Sequence, residues 1–438
     1  MTPSARVQAV FEIMQRIESA RIPMDGTVGD YMRHRKYIGA KDRANIVERA
    51  YSIVRAYARL CWWIAKQGRE PAPRLLLLAW LVLGEGVEAS RIETLFDGST
   101  YGPQSLGEDE LAFIQALERH TLDHPDMPEA ARVECPPEWE VPMRARFGGD
   151  FVREMTAMMD SAPLDLRVNL RKLTREQAMQ SLQKDRVETS PTRWSPWGLR
   201  AKGKAFLSHT KAFVKGMIEI QDEGSQLIAF LCHAQAGQQV LDYCAGAGGK
   251  TLALAAAMNN KGRIVACDIE ESRLMKARPR FKRAGVADII EVRPLSDEKN
   301  RKWLRRQKGT FDCVLVDAPC SGTGTWRRNP DMRWRAFGPK LEELRTTQAE
   351  ILDRVGKTVK PGGRLVYATC SLLREENEAQ VEAFLLRDPG FEILPLERAW
   401  PGEEGEPPCA GPFMRLTPGQ HNTDGFFAAV LVRKADAV

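Results

Sequence analysis

The chain has 438 residues, enough for two or three domains with at least one large core. Its 43% hydrophobic and 28% charged residues are the balance of an ordinary soluble globular protein, and they exclude a disordered or membrane-embedded chain. A net charge of +6 is too mild to demand a nucleic-acid partner by itself.

The N-terminal stretch "MTPSARVQAVFEIMQRIESAR" lacks the apolar core and small-residue cleavage site of a secretory signal, so a cytoplasmic protein is expected. Val7, Val10, Phe11 and Met14 recur at helical spacing, and so do Ile46, Ala50, Ile53 and Val54. The run "LLLLAWLVL" (75–83) is too short to span a bilayer and reads as a buried helix. Residues 1–135 are therefore expected to form an all-helical domain. "CPPEWEVP" (135–142) marks a boundary. Residues 136–222 read as a small α+β subdomain. It has a predicted helix over 144–160, a strand "DLRVNL" (165–170) and a helix opened by Thr174 with Glu176 nearby.

From 223 to 438 the rhythm becomes strand, helix, strand. Predicted strands are 239–244, 263–269, 288–293, 311–317, 363–370, 391–396 and 425–433, with helices at 221–235, 251–259, 271–284 and 340–359. Near-continuous apolar runs imply strands covered on both faces. The expected fold is a doubly wound, Rossmann-like α/β sheet that binds its ligands beyond the carboxyl ends of the strands.

"VLDYCAGAGGKT" (240–251) runs from strand through a glycine-rich turn into a helix. A phosphate-binding loop would need glycine where Cys244 stands, and a dinucleotide fingerprint would need it where Thr251 stands. An S-adenosylmethionine site needs neither. It asks for an acid at the end of the first strand, a glycine turn for the amino-acid moiety, and a second acid for the ribose diol. Asp268, closing "IVACDI", suits that last task.

Nine cysteines, with no C-x-x-C pair among them, argue against a disulfide framework and a zinc site, and no metal is expected. Cys232, Cys267 and Cys313 lie in apolar runs and read as small buried hydrophobes. Cys320 in "DAPCSGTGTWRR" and Cys370 in "VYATCSLL" differ, because both fall at predicted strand tips. Amino-group methyltransferases place an aromatic residue where Cys320 stands. A sulfur nucleophile is useless for methylating a nitrogen, but pyrimidine carbon-5 needs one: a thiolate adds to carbon-6 and makes carbon-5 an enamine carbon. A base then removes the carbon-5 proton and the thiol leaves. Asp317 would hold the ring near N3 and the exocyclic amine. This chemistry alone does not rank the two thiols.

Four basic runs stand out, at 33–36, 273–283, 301–308 and 326–335. The first three read as solvated helix faces. The fourth, "WRRNPDMRWR", interleaves two indoles with four arginines, a pattern suited to single-stranded nucleic acid.

Together, "IQDEGSQL" (220–227), "DYCAGAGGKT" (242–251), "DAPCSGTGTWRRNPD" (317–331), "YATCSLLREENE" (367–378) and "DGFFAAVL" (424–431) resemble the NusB-domain-containing, RsmB-like branch of the Nol/Nop/Sun family of RNA cytosine-5 methyltransferases. "DRANIVERAYSIVR" (42–55) is similar to a NusB-type RNA-binding domain, and "LRVNLRKLTRE" (166–176) to the family's small subdomain. The resemblance implies a class I methyltransferase fold, with S-adenosylmethionine held by Cys244, Ala245, Gly246, Ala247, Gly248, Gly249, Lys250, Asp268, Asp297 and Asp317. It implies Cys370 as nucleophile and Cys320 as the residue that aids release. The expected substrate is a cytosine of small-subunit ribosomal RNA, flipped out or single-stranded, with Arg327, Arg328, Arg167 and Asn169 as RNA contacts. A monomer without a membrane partner is expected. The same chemistry on transfer RNA, or a non-catalytic RNA-binding assembly factor, are the rival readings. The family turn usually reads C-A-x-P-G-G-K, and here Ala247 replaces the proline.

Overall fold

The computed structural model describes the whole chain except residues 204, 336, 402–404 and 436–438. It divides into two units, residues 1–161 with 326–338, and residues 162–325 with 339–438.

The first unit is helical. Its opening helix, Pro3–Ser19, starts at Thr2, whose hydroxyl accepts the Ala5 N–H, and it buries Val7, Val10 and Met14. The helix Ala40–Arg55 buries Ile46, Ala50, Ile53 and Val54, as the spacing predicts. The apolar run 75–83 lies in the buried helix Pro73–Leu83. The helix predicted over 144–160 is instead two, Pro137–Phe147 and Phe151–Ala157, because Gly148 turns into the left-handed region (φ +53°). Among the described residues no helix is long and apolar enough to cross a membrane.

The second unit carries two sheets. Strands β1 (Asp165–Val168), β2 (Thr189–Pro191), β3 (Gly198–Ala201) and β4 (Ile218–Ile220) form an antiparallel sheet in the order β2-β3-β1-β4. The helix Arg175–Lys184 packs with this sheet. Thr174 caps the helix, and its N–H donates in return to the Gln177 side-chain oxygen rather than to Glu176.

The large sheet comprises β5 (Gln239–Asp242), β6 (Arg263–Asp268), β7 (Ile290–Pro294), β8 (Phe311–Asp317), β9 (Val359–Thr369), β10 (Phe391–Ile393), β11 (Met414–Leu416) and β12 (Phe426–Arg433). Its order is β10-β12-β9-β8-β5-β6-β7, with β11 paired to β12. The five strands from β9 to β7 are parallel, while β12 runs antiparallel to β9. The inner strands are buried on both faces, with Leu241 and Val314 on one side and Val240 and Leu315 on the other, while β7 at the edge is half-buried throughout. Strand β5 starts the fold, and its two neighbours lead away in opposite directions. The carboxyl ends of β5, β6, β8 and β9 therefore open on one crevice.

Candidate active site

The turn after β5 is shaped by its glycines. Gly248 caps the helix Gly249–Ala257 with φ +78°, and a Cβ there would lie 2.5 Å from the Phe281 ring, so only glycine fits. Two arginines hold the turn from behind. Arg280 Nη1 donates to the Ala247 carbonyl (2.5 Å) and Arg167 Nη1 to the Gly249 carbonyl (2.6 Å). Arg280 is itself fixed by Glu219 of β4 (3.0 Å), which Arg283 also pairs. The proline missing at 247 is thus offset by a guanidinium on that residue's own carbonyl.

Three carboxylates gather at this turn. Asp268 receives the Gly246 N–H (2.7 Å) and the Glu270 N–H (2.8 Å). Asp242 is wholly buried at the end of β5; its Oδ2 accepts from Thr251 Oγ1 (2.7 Å), and among the described residues its Oδ1 meets no donor. Burial pushes the Asp242 carboxyl up to about 7, against the Thr251 bond, with Asp317 adding to the rise. Asp317, at the end of β8, accepts from Lys250 Nζ (2.6 Å). Burial opposes the lysine's charge, yet the Asp317 carboxylate holds its pKa above the ordinary value. The half-buried Cys244 thiol is raised by burial and then by the Asp268 and Asp317 charges. A buried acid with a free acceptor, a left-handed glycine turn and an acid at the end of β6 suit the amino-acid and ribose ends of S-adenosylmethionine.

The two thiols meet. Cys370, just beyond β9, has its sulfur 3.4 Å from that of Cys320, which follows β8. Both are half-buried. The loops that carry them are joined backbone to backbone. The Gly324 N–H donates to the Cys370 carbonyl (2.9 Å), and the Gly425 N–H to the Gly324 carbonyl (2.7 Å). A Cβ on Gly324 would sit 2.2 Å from the Gly425 oxygen, so this approach also requires glycine. The Thr323 hydroxyl completes the seam by accepting the Leu372 N–H (2.9 Å), and within the Cys370 loop Asn377 Nδ2 donates to the Ser371 carbonyl (2.8 Å). Cys232, Cys267 and Cys313 are buried, as their apolar surroundings predict.

Beneath Cys320 lies a residue the motifs did not single out. Glu376 is wholly buried, and its carboxylate accepts the Ser321 N–H (2.9 Å), the Ser321 hydroxyl (2.5 Å) and Gln348 Nε2 (3.0 Å). Its place six residues after Cys370, in "REENE", was the available signal.

Several expected contacts are corrected. Asp297 is exposed and caps the helix Glu298–Arg305, its carboxylate accepting the Lys299 N–H (2.8 Å); the acid that joins Asp268 and the half-buried Asp317 at the turn is Asp242. Arg167 is 3% exposed and holds Gly249 and Gln221, so it does not face RNA. Asn169 is likewise buried and donates to the Gly216 (3.1 Å) and Ala284 (3.0 Å) carbonyls. Trp326 (1% exposed) and Arg327 (3%) are buried in the helical unit; Arg328 there is half-buried, which does not contradict an RNA contact. Among the described residues no acid, cysteine and histidine cluster suits a metal ion.

Comparison with known proteins agrees with this geometry. The family described as 16S rRNA methyltransferase RsmB/F matches residues 229–432, and the RsmF/B-like ferredoxin-like domain matches 137–205. The crystal structure of PH0851 superposes with a TM-score of 0.75 at 26% identity, covering 98% of this chain and 99% of that one. A methyltransferase homologue from Pyrococcus horikoshii superposes with a TM-score of 0.58 at 29% identity, over 70% of this chain and 97% of that one. The Ribosomal RNA small subunit methyltransferase B of Citrobacter koseri is 28% identical over 452 residues, 98% of this chain and 97% of that protein. That of Salmonella typhi is 30% identical over 442 residues, again 98% and 97% of the two chains. With both halves of the chain matched from end to end, this protein belongs to the ribosomal RNA small subunit methyltransferase B family.

Proposed function

We propose that the protein is an S-adenosylmethionine-dependent RNA cytosine-5 methyltransferase acting on small-subunit ribosomal RNA, with Cys370 as nucleophile and Cys320 as the group that releases the product. The observation that carries this reading is the 3.4 Å meeting of two thiols at the tips of adjacent parallel strands, beside the Lys250–Asp317 pair.

The turn Cys244–Lys250, Asp242 and Asp268 hold the donor, which supplies an activated methyl group. Asp317 binds the cytosine edge at N3 and the exocyclic amine, oriented by Lys250. Cys370 adds to carbon-6, and the electrons displaced make carbon-5 nucleophilic. After carbon-5 is methylated, Cys320 takes its proton. The carbon-5–carbon-6 double bond re-forms, and the bond from Cys370 to carbon-6 breaks. The helical unit is read as a NusB-like RNA-binding domain that brings ribosomal RNA to this chemistry.

Bisulfite sequencing of ribosomal RNA from cells with and without the protein tests the reading. One small-subunit cytosine should lose its protection in the deletion, regain it with the wild-type gene, and stay unprotected with Cys370→Ala. Loss of protection in transfer RNA alone would move the substrate. Restoration by Cys370→Ala would overturn the nucleophile.

A further inference from the structure

The two thiols are chemically alike and 3.4 Å apart, so their division of labour must come from what surrounds them. Those surroundings differ: a lysine–carboxylate pair on one side, a buried carboxylate held by neutral donors on the other. On the Cys370 side stands the buried Lys250, paired with Asp317. The Lys250 charge is favoured in part by Cys370 itself. On the Cys320 side stands Glu376, tied by two bonds to Ser321, the next residue in the chain. Its remaining neighbours are the neutral Gln348 and the Tyr367 hydroxyl, which donates to the Glu376 carbonyl (2.6 Å). Gln348 also donates to the Pro319 carbonyl (2.9 Å), so both residues flanking Cys320 are held by one buried cluster. The neighbouring Glu378 is paired with Arg415 (2.6 Å).

We propose that Glu376 is a positioning residue that sets the order in which the two thiols act, fixing Cys320 through Ser321 and keeping it protonated until Cys370 has attacked. The Cys320 thiol is raised well above its ordinary value, first by its hydrogen bond with Cys370, then by burial, then by the two like charges of Cys370 and Glu376. The first of these contributions is self-cancelling. Once Cys370 is bound to carbon-6 it is a neutral thioether, and its hold on the Cys320 proton disappears. Cys320 can then lose its proton to solvent and, as thiolate, accept the carbon-5 proton while the Cys370–carbon-6 bond breaks. Burial and the smaller contribution of Glu376 remain, so the Glu376 charge raises the pH at which release begins. Attack therefore precedes the arming of the base, and the second thiol does not compete as nucleophile.

This inference rests on the cytosine-5 reading, and its test separates the two. The covalent protein–RNA adduct is formed in a single turnover with the full-length protein, S-adenosylmethionine and unmodified small-subunit ribosomal RNA, and its decay is followed against pH. Glu376→Gln keeps one oxygen for the Ser321 N–H and Gln348 and offers an NH2 that the rotatable Ser321 hydroxyl can accept, so the cluster stays bonded as the charge is removed. Its release profile should move about one pH unit lower than that of wild type. Ser321→Ala keeps the charge and removes one donor from it, so its profile should move higher. A wild-type profile in folded Glu376→Gln overturns the inference. Should that variant fail to fold, an unmoved or lowered profile in Ser321→Ala does the same. Failure of wild type to make 5-methylcytosine, or clean release by Cys320→Ala, would instead overturn the underlying reading.

Discussion

Residues 317–325 and 326–338 are adjacent in sequence, and both attract attention as motifs, yet they do opposite work. The first stretch carries Asp317 and Cys320 to the crevice and is stitched to the Cys370 loop by backbone bonds. The second, rich in arginine and tryptophan, buries Trp326, Arg327, Asp331 and Arg333 in the helical unit. The Asp331 carboxylate accepts the Met24 N–H (2.7 Å), and Arg333 donates to the Glu134 (3.1 Å) and Met158 (2.9 Å) carbonyls. Trp334 donates to the Val54 carbonyl (3.2 Å). A guanidinium aimed at buried carbonyls has the same sequence signature as one aimed at phosphate. Only burial distinguishes them, and local composition does not report burial.

Substitutions in the two stretches should fail differently. The largest effects belong to the thiols. Cys370→Ala should abolish methylation with the fold unchanged, read by incorporation of labelled methyl groups. Cys320→Ala should slow release by roughly 10²- to 10⁴-fold, the usual worth of a proton-transfer group, and accumulate a denaturant-stable protein–RNA adduct. In the second stretch, Arg333→Met should act on stability instead. Leaving two buried carbonyls without their charged donor costs on the order of 3 kcal/mol, read by denaturant unfolding of the helical unit. A fully stable Arg333→Met protein would break the distinction between the two stretches.

Smaller effects sharpen the description of the cofactor turn. Arg280→Ala frees the Ala247 carbonyl and should raise KM for the donor about 10-fold with little change in kcat, since one charge-assisted bond is worth about 1.5 kcal/mol or more. Adding Ala247→Pro to that variant should recover part of the loss. The mildest prediction concerns Asp242. Its folded pKa, near 7, lies above the unfolded carboxyl value, so its contribution to stability is complete in acid and lost as pH rises through 7. Asp242→Asn should therefore gain melting temperature relative to wild type above neutrality, and the gain should vanish in acid.

The strand and helix pattern of the large sheet was legible because its strands are near-continuous apolar runs. Seven of its eight strands overlap predicted segments, with Ile290–Pro294 and Val359–Thr369 running past the predicted bounds; Met414–Leu416 is three residues long and pairs only at one edge, too short for periodicity to show. The helix predicted over 144–160 was split by Gly148. The thiols, Lys250, Asp268 and Asp317 were legible because each sits at a strand tip or turn, where a polar residue interrupts an apolar run. Glu376, Gln348 and Arg280 were not. Their importance comes from which loop they touch across the fold, and Gln348 and Arg280 sit in mid-helix among ordinary polar surroundings. Arg167 and Asn169 were seen but misassigned, because a buried strand can carry polar residues that hold backbone carbonyls of other elements.

The most direct measurement is to trap the wild-type protein on RNA carrying 5-azacytosine, whose ring lacks the proton that release requires, and to sequence the modified peptide. The RNA fragment should be found on Cys370, within the tryptic peptide spanning residues 365–374. A fragment attached to Cys320, or no covalent product from protein that methylates normally, would contradict the assignment.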